Sequence, residues 1–209
     1  MSQTVEHDPF ADAPIGRVVP TTEPQREVWL ASQLGAEASL AYNESISLRL
    51  HGVLDVPALR GALHDLIDRH DALRSTFSSD GESLYVADTV SLAVPVIDLA
   101  ELPQADQEAA RQRALDDAVE RPFDLERGPL FRARLLSFGA SDHLLVLTAH
   151  HIVCDGWSFG VLAREWPRLY AARAGNDDAS LPNADSFADH ALAECDDMRA
   201  SRRIADTGY

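Results

Sequence analysis

The chain has 209 residues, of which 45% are hydrophobic and 25% charged, and its 34 acidic against 18 basic residues give a formal net charge of −16. That is globular content, enough for one large domain or two small ones, and apolar runs recur too often for a disordered chain. The negative charge repels phosphate backbones and anionic lipid surfaces, so neither nucleic acid nor a membrane is an expected partner.

Residues 1–20 read as a leader or linker, because Pro9, Pro14, Gly16 and Pro20 leave no room for a regular element. With no basic segment followed by an apolar core, this stretch is not a signal peptide, and nowhere does an apolar run approach the ~20 residues that span a bilayer. The two cysteines, Cys154 and Cys195, make no disulfide framework. These features predict a reduced, cytoplasmic protein.

A helix is expected from Thr21-Thr22-Glu23-Pro24-Gln25, with a threonine as cap and Pro24 in the first turn, running to Leu34 and stopping at Gly35. Residues 43–51 alternate, with Ile46, Leu48 and Leu50 on one face of a half-buried strand. Asp55 then caps a second helix with a core stripe of Val56, Leu59, Leu63, Leu66 and Ile67. The run STFSSDGESLYVAD predicts a hairpin turning at Asp80-Gly81, and a short strand follows near 93–98. Residues 103–120 predict an exposed helix, FRARLLSF a strand, and HLLVLTAH a strand covered on both faces. A helix over 157–175 is expected to kink or break at Pro167, and its Trp166 and Tyr170 read as core. A polar linker and a last helix from Ser186 to Arg203 complete the chain. Strands occur both in hairpins and between helices, which predicts an α/β sandwich with a mixed sheet and packed helices.

The most informative run is His150-His151-Ile152-Val153-Cys154-Asp155-Gly156, at the end of the buried strand and before a helix. Adjacent strand residues point to opposite faces, so the two histidines do not serve one centre together, and a metal site built from the pair is disfavoured. One ring should face a cavity and the other pack inward. A neutral histidine there can take a proton from an amine, hydroxyl or thiol, or hold that group in line. Asp155 could orient the ring or fix the loop through an arginine, and Gly156 allows a tight bend and close approach of a bound group. A lone histidine in an apolar setting is more often core than catalyst, but the complete HHxxxDG pattern is too restrictive for coincidence.

That segment resembles the signature of condensation domains of nonribosomal peptide synthetases, in the fold group of chloramphenicol acetyltransferase. TTEPQREVWLASQ resembles the opening motif at Gln25, Arg26 and Trp29. RHDALRSTF at 69–77 resembles the second motif, with Asp71 where Glu is usual. PFDLERGPLFR at 122–132 resembles the family's loop before the penultimate strand, and SFADHALAE at 186–194 is similar to the following motif. WLASQLGAEASLAYNES resembles condensation domains that follow polyketide or other modified-acyl modules. The resemblance covers residues 20–209.

It implies a chloramphenicol acetyltransferase-like lobe over 21–209 in which His151 is catalytic, deprotonating or positioning the amine of an acceptor aminoacyl thioester as it attacks a donor thioester. His150 would be structural. Asp155 would form a buried ion pair with Arg69, or failing that Arg74, whose loss would cost ~3–5 kcal/mol. The Gly156 N–H would face the developing oxyanion, and Trp157 and Ser158 would line the substrate tunnel. No metal or diffusible cofactor is implied, since carrier domains bring the phosphopantetheine arms. Domains of this family have two similar lobes with the site between them, and no second-lobe motif occurs in this chain. The expectation is therefore an N-terminal lobe alone, with donor and acceptor peptidyl carrier proteins and the other lobe as partners, an apolar lobe-facing surface prone to self-association, and no activity by itself.

Several other functions compete with this one. An epimerisation domain shares HHxxxDG, but DGWSFGVLARE looks more like condensation; a cyclisation domain is excluded by His150-His151. A stand-alone acyltransferase, a non-catalytic carrier platform, and a Cys/His hydrolase using Cys154 are the remaining alternatives.

Overall fold

In the computed structural model of the protein, which describes residues 14–175 and 181–207, the first regular element is a strand. β1 (Ile15–Pro20) pairs antiparallel with β4 (Ser83–Ala87), so the expectation of no regular element over 1–20 is corrected for its last six residues. A strand on the edge of its sheet tolerates glycine and a terminal proline, and the ladder to β4 supplies the order that the local pattern lacks. Residues 1–13 of the expected leader and 176–180 of the expected linker lie outside the described residues.

Thr22 caps α1 (Glu23–Ser32) through a capping box, its hydroxyl accepting from the Gln25 N–H while the Gln25 side chain accepts from the Thr22 N–H. The helix ends two residues before the expected Leu34. Gly35, at φ 141°, leads into a single-turn helix, α2 (Ala36–Leu40), too short to leave a periodic signature. β2 (Asn43–His51) follows, with Ile46, Leu48 and Leu50 half-buried against the core as predicted. Asp55 accepts from the Ala58 N–H at 2.9 Å and starts α3 (Val56–Arg69), which buries Leu59, Leu63, Leu66 and Ile67 while Val56 stays half-buried at its open end. A 3₁₀ turn at Asp71–Arg74 leads into β3 (Ser75–Phe77), and the chain turns at Gly81, φ 71°, into β4.

The remaining elements are β5 (Val96–Asp98), α4 (Gln104–Glu120), β6 (Phe131–Gly139), β7 (Asp142–His150), α5 (Gly156–Arg173) and α6 (Phe187–Thr207). α5 is not broken at Pro167. A helix-interior proline removes one hydrogen bond, and buried Leu162 and Trp166, with the Arg173–Asp65 ion pair to α3, hold the helix across that gap. Trp166 and Tyr170 stack at 5.7 Å, and the Tyr170 hydroxyl accepts from the Asp55 N–H at 3.0 Å, so the pair belongs to the core and to the α3 cap.

The larger sheet has the order β2-β7-β6-β5, antiparallel except for the parallel β5–β6 pair. A smaller antiparallel sheet, β1-β4-β3, joins it, so the α/β sandwich with a mixed sheet stands as expected and a second sheet is added. The two faces of β7 divide the core. Leu145, Leu147 and Ala149 face the main cluster with α3 and α5, whereas Leu144 and Val146 face a second cluster under α4 with Ala114, Ala118 and Leu136. Covered on both faces, β7 is buried from His143 to His150, and it delivers its last residue to the signature loop.

Candidate active site

The alternation expected of the two histidines is seen in the backbone. The His150 N–H donates to the Leu130 carbonyl at 3.0 Å, on the β6 side, and the His151 N–H donates to the Tyr42 carbonyl at 2.8 Å, on the β2 side. His150 is fully buried, with its ring 5.9 Å from that of Tyr42 and edge-on to Phe123 at 6.2 Å. Its Nδ1 accepts from the Ile152 N–H at 3.3 Å, so the proton of the neutral ring sits on Nε2. Burial, helped by the neighbouring His151, lowers its pKa to about 4. His150 is thus an uncharged packing residue that pins the turn following the strand.

The His151 side chain is 39% exposed, and its Nδ1 meets the carboxylate Oε1 of Glu44. The motifs of the sequence do not point to Glu44, although a weaker signal does. It continues the inward face of β2 defined by Ile46, Leu48 and Leu50, and a carboxylate at the end of an apolar face is out of pattern.

The expected ion pair of Asp155 with Arg69 or Arg74 is corrected. Asp155 is exposed and caps α5, with Oδ1 accepting from the Ser158 N–H at 2.8 Å and from the Ser158 hydroxyl at 2.7 Å. These Ser158 hydrogen bonds hold its carboxyl below the usual range. Arg69 ends α3 level with the middle of α5, not its start, and so reaches Glu165. Its Nε donates to Oε2 at 2.8 Å and its Nη2 to Oε1 at 3.3 Å, while His70 Nε2 contacts the same Oε2 at 2.8 Å. Arg74 donates through Nη1 to the Ala87 carbonyl, and its buried Nε has no partner among the described residues.

Gly156 is the first residue of α5, and a Cβ placed on it would meet nothing within 4 Å. The bend itself does not demand glycine, since its φ is not positive. Trp157 is 78% exposed. Together with Ser158, Val153 and Cys154 it borders a cavity of about 350 Å³ that extends to His70 and Glu165. Cys154 is 1% exposed, and burial, reinforced by the charges of Asp155 and Glu44, pushes its thiol up to about 12. A thiol so protonated is no nucleophile, which counts against the hydrolase alternative.

Motifs far apart in the chain are tied together, one of them to this loop. Buried Gln25, besides closing the capping box, donates from Nε2 to the Ile152 carbonyl at 3.1 Å. Arg26 pairs with Glu82, and the Trp29 ring lies so close over Gly81 that a Cβ there would be 2.4 Å from it. Buried Asp71 accepts from the Ser186 hydroxyl at 2.6 Å and from the Phe187 and Ala188 N–H groups at 2.8 and 3.2 Å, so the second motif caps the helix of the last one. Among the described residues no group of three His, Cys, Asp or Glu side chains is placed to hold a metal ion, and no helix is long and apolar enough to cross a membrane.

The chain matches the family model of the condensation domain over residues 15–207. It is 43% identical over 171 residues to chondramide synthase cmdD of Chondromyces crocatus, covering 81% of this chain and 4% of the synthase. With phosphinothricin tripeptide synthetase PhsC of Streptomyces viridochromogenes it is 39% identical over 166 residues, covering 78% of this chain and 15% of that synthetase. Among solved structures, the starter condensation domain of rhizomide synthetase RzmA is similar at a TM-score of 0.81 and 27% identity, over 91% of this chain and 46% of that one. A complex of the X-domain and OxyB from teicoplanin biosynthesis is similar at 0.78 and 30% identity, over 91% and 41%. The chain thus spans a small part of either synthetase and less than half of either solved chain.

Proposed function

The chain belongs to the condensation-domain family, and from that premise we propose that it forms the N-terminal lobe of an amide-forming domain of a nonribosomal peptide synthetase. In the proposed reaction the amine of a carrier-bound acceptor aminoacyl thioester attacks the carbonyl of a carrier-bound donor thioester. The new C–N bond forms, the C–S bond breaks, and the donor carrier's thiol leaves. His151 takes or orients the amine proton through Nε2, and the Gly156 N–H faces the developing oxyanion. The observation that carries this reading is the half-exposed His151 ring, held at Nδ1 by Glu44, five residues before Gly156 opens α5.

The lobe binds no cofactor of its own in this reading, because the phosphopantetheine arms arrive on the donor and acceptor carrier proteins. The second lobe supplies the facing wall, and exposed apolar side chains such as Trp157 meet it or, in its absence, another copy. Two free thiols fit a reducing cytoplasmic setting. The test is amide formation from two loaded carrier proteins, run with the 209-residue chain alone and with a two-lobe domain containing it. Turnover only in the two-lobe form, lost on His151→Ala, is expected. Turnover by the chain alone above its His151→Ala control would overturn the one-lobe assignment. Carrier binding with no turnover in either form would make the lobe a docking platform instead.

A further inference from the structure

We infer that Glu44 is the positioning residue of His151, fixing the ring as the Nδ1–H tautomer so that the Nε2 lone pair faces the open side of the signature loop. This rests on the reading of His151 as the working histidine. Register brings the two residues together. Glu44 lies opposite Ala149 in the β2–β7 ladder, and His151 is the next residue on the same face, a diagonal neighbour across the strands. Diagonal pairs stand ~7–8 Å apart between Cα atoms, within reach of a long side chain. The Glu44 Oε1 contacts Nδ1 directly. An ionised carboxylate only accepts, so Nδ1 carries the proton, and in the neutral ring Nε2 is the acceptor. The same end of β2 fixes the backbone, through the 2.8 Å bond from the His151 N–H to the Tyr42 carbonyl.

Other groups around the ring do not compete for this role. Asp155 on the signature loop is committed to Ser158 at 2.8 and 2.7 Å, and His150 is buried on the opposite side of the strand. The Tyr42 ring stands 6.3 Å away and tilted, and Cys154 is a buried, protonated thiol. Glu44 is therefore the carboxylate that orients the imidazole, and Nε2 is the nitrogen it leaves free.

Two measurements test this separately from the assignment of His151 to catalysis. Histidine-ring nitrogen NMR on the 209-residue chain, with the His151 signal identified by its loss in His151→Gln, reads the tautomer without any reaction. The Nδ1–H tautomer is expected in the unmodified chain. Glu44→Gln keeps an acceptor, so its tautomer should hold, whereas Glu44→Ala should release the ring to a mixture of both forms. An Nε2–H ring in the unmodified chain, or no change in Glu44→Ala, would overturn the inference whatever the enzyme does. In the two-lobe domain, Glu44→Ala should lower kcat by roughly ten- to a hundredfold with KM for the carriers unchanged, and Glu44→Gln should restore most of that loss. Full activity of Glu44→Ala, with His151→Ala inactive, would sink Glu44 alone. An active His151→Ala would sink the parent reading and leave the NMR result standing.

Discussion

Gln25 and Ile152, separated by 127 positions in the chain, are joined by a single hydrogen bond of 3.1 Å from the glutamine amide to the signature-loop carbonyl. The same side chain accepts from the Thr22 N–H at 3.2 Å in the capping box. The two functions can be parted chemically. Gln25→Glu keeps the acceptor for the cap but has no donor for Ile152, so it should cost about 1–3 kcal/mol by setting a carboxylate against a buried carbonyl. Gln25→Ala should also lose the cap contact, about 1 kcal/mol on the scale of a capping interaction. Urea unfolding of both variants measures this, and equal stability of Gln25→Glu and the parent chain would refute the link.

Asp155→Ala should destabilise the protein by about 1 kcal/mol, the usual cost of losing a helix cap, and Asp155→Ser or Asp155→Asn by a few tenths. A buried ion pair would have cost ~3–5 kcal/mol with little rescue by serine. Denaturant midpoints of the three variants separate the two cases.

The division between what can and cannot be read from the chain follows the range of the interactions. Thr22, Asp55 and the Gly81 turn are legible because a cap or a turn is decided within four residues. β7 is legible from its unbroken apolar run. β1 is not, since an edge strand with mostly exposed side chains takes its order from β4, some seventy residues on. Arg69 illustrates the same limit at the site. Charge announces that it will find an acid, but among 34 acidic residues only the packing of α3 on α5 selects Glu165 over Asp155. Glu44 lies between these extremes. Its place on the inward face is visible in the alternation, whereas its partner requires the β2–β7 register.

His150 makes stability fall in mild acid. The unfolded imidazole, of ordinary pKa 6.5, takes a proton that the folded one refuses until about 4. Stability is therefore complete above pH 6.5, falls as pH drops through that value, and has lost this contribution at about pH 4. The loss is on the order of 3 kcal/mol. His150→Phe should flatten the stability profile in this window, measured by urea unfolding at a series of pH values.

Asp71 acts in a lower window. Burial alone would raise its pKa, but the hydrogen bonds from Ser186, Phe187 and Ala188 outweigh it and bring the carboxyl below its ordinary 3.8. Its contribution is present above that value and lost as pH falls through the lower folded value. Asp71→Asn should be less stable by about 1–3 kcal/mol at neutral pH, with the difference from the parent chain shrinking below pH 3.8. Thermal melting across that range reads both effects.

The open space where a Cβ would sit on Gly156 has a consequence for how this chain tolerates change. No described residue would resist a methyl group at that position, so a mutational scan scored by abundance should pass Gly156→Ala as silent. On the proposed role of the Gly156 N–H, a scan scored by product should reject it, because the methyl group adds bulk beside that amide. Disagreement between the two scans at residue 156, set against agreement at buried residues such as Leu145 or Phe131, would place residue 156 beside the proposed reacting group.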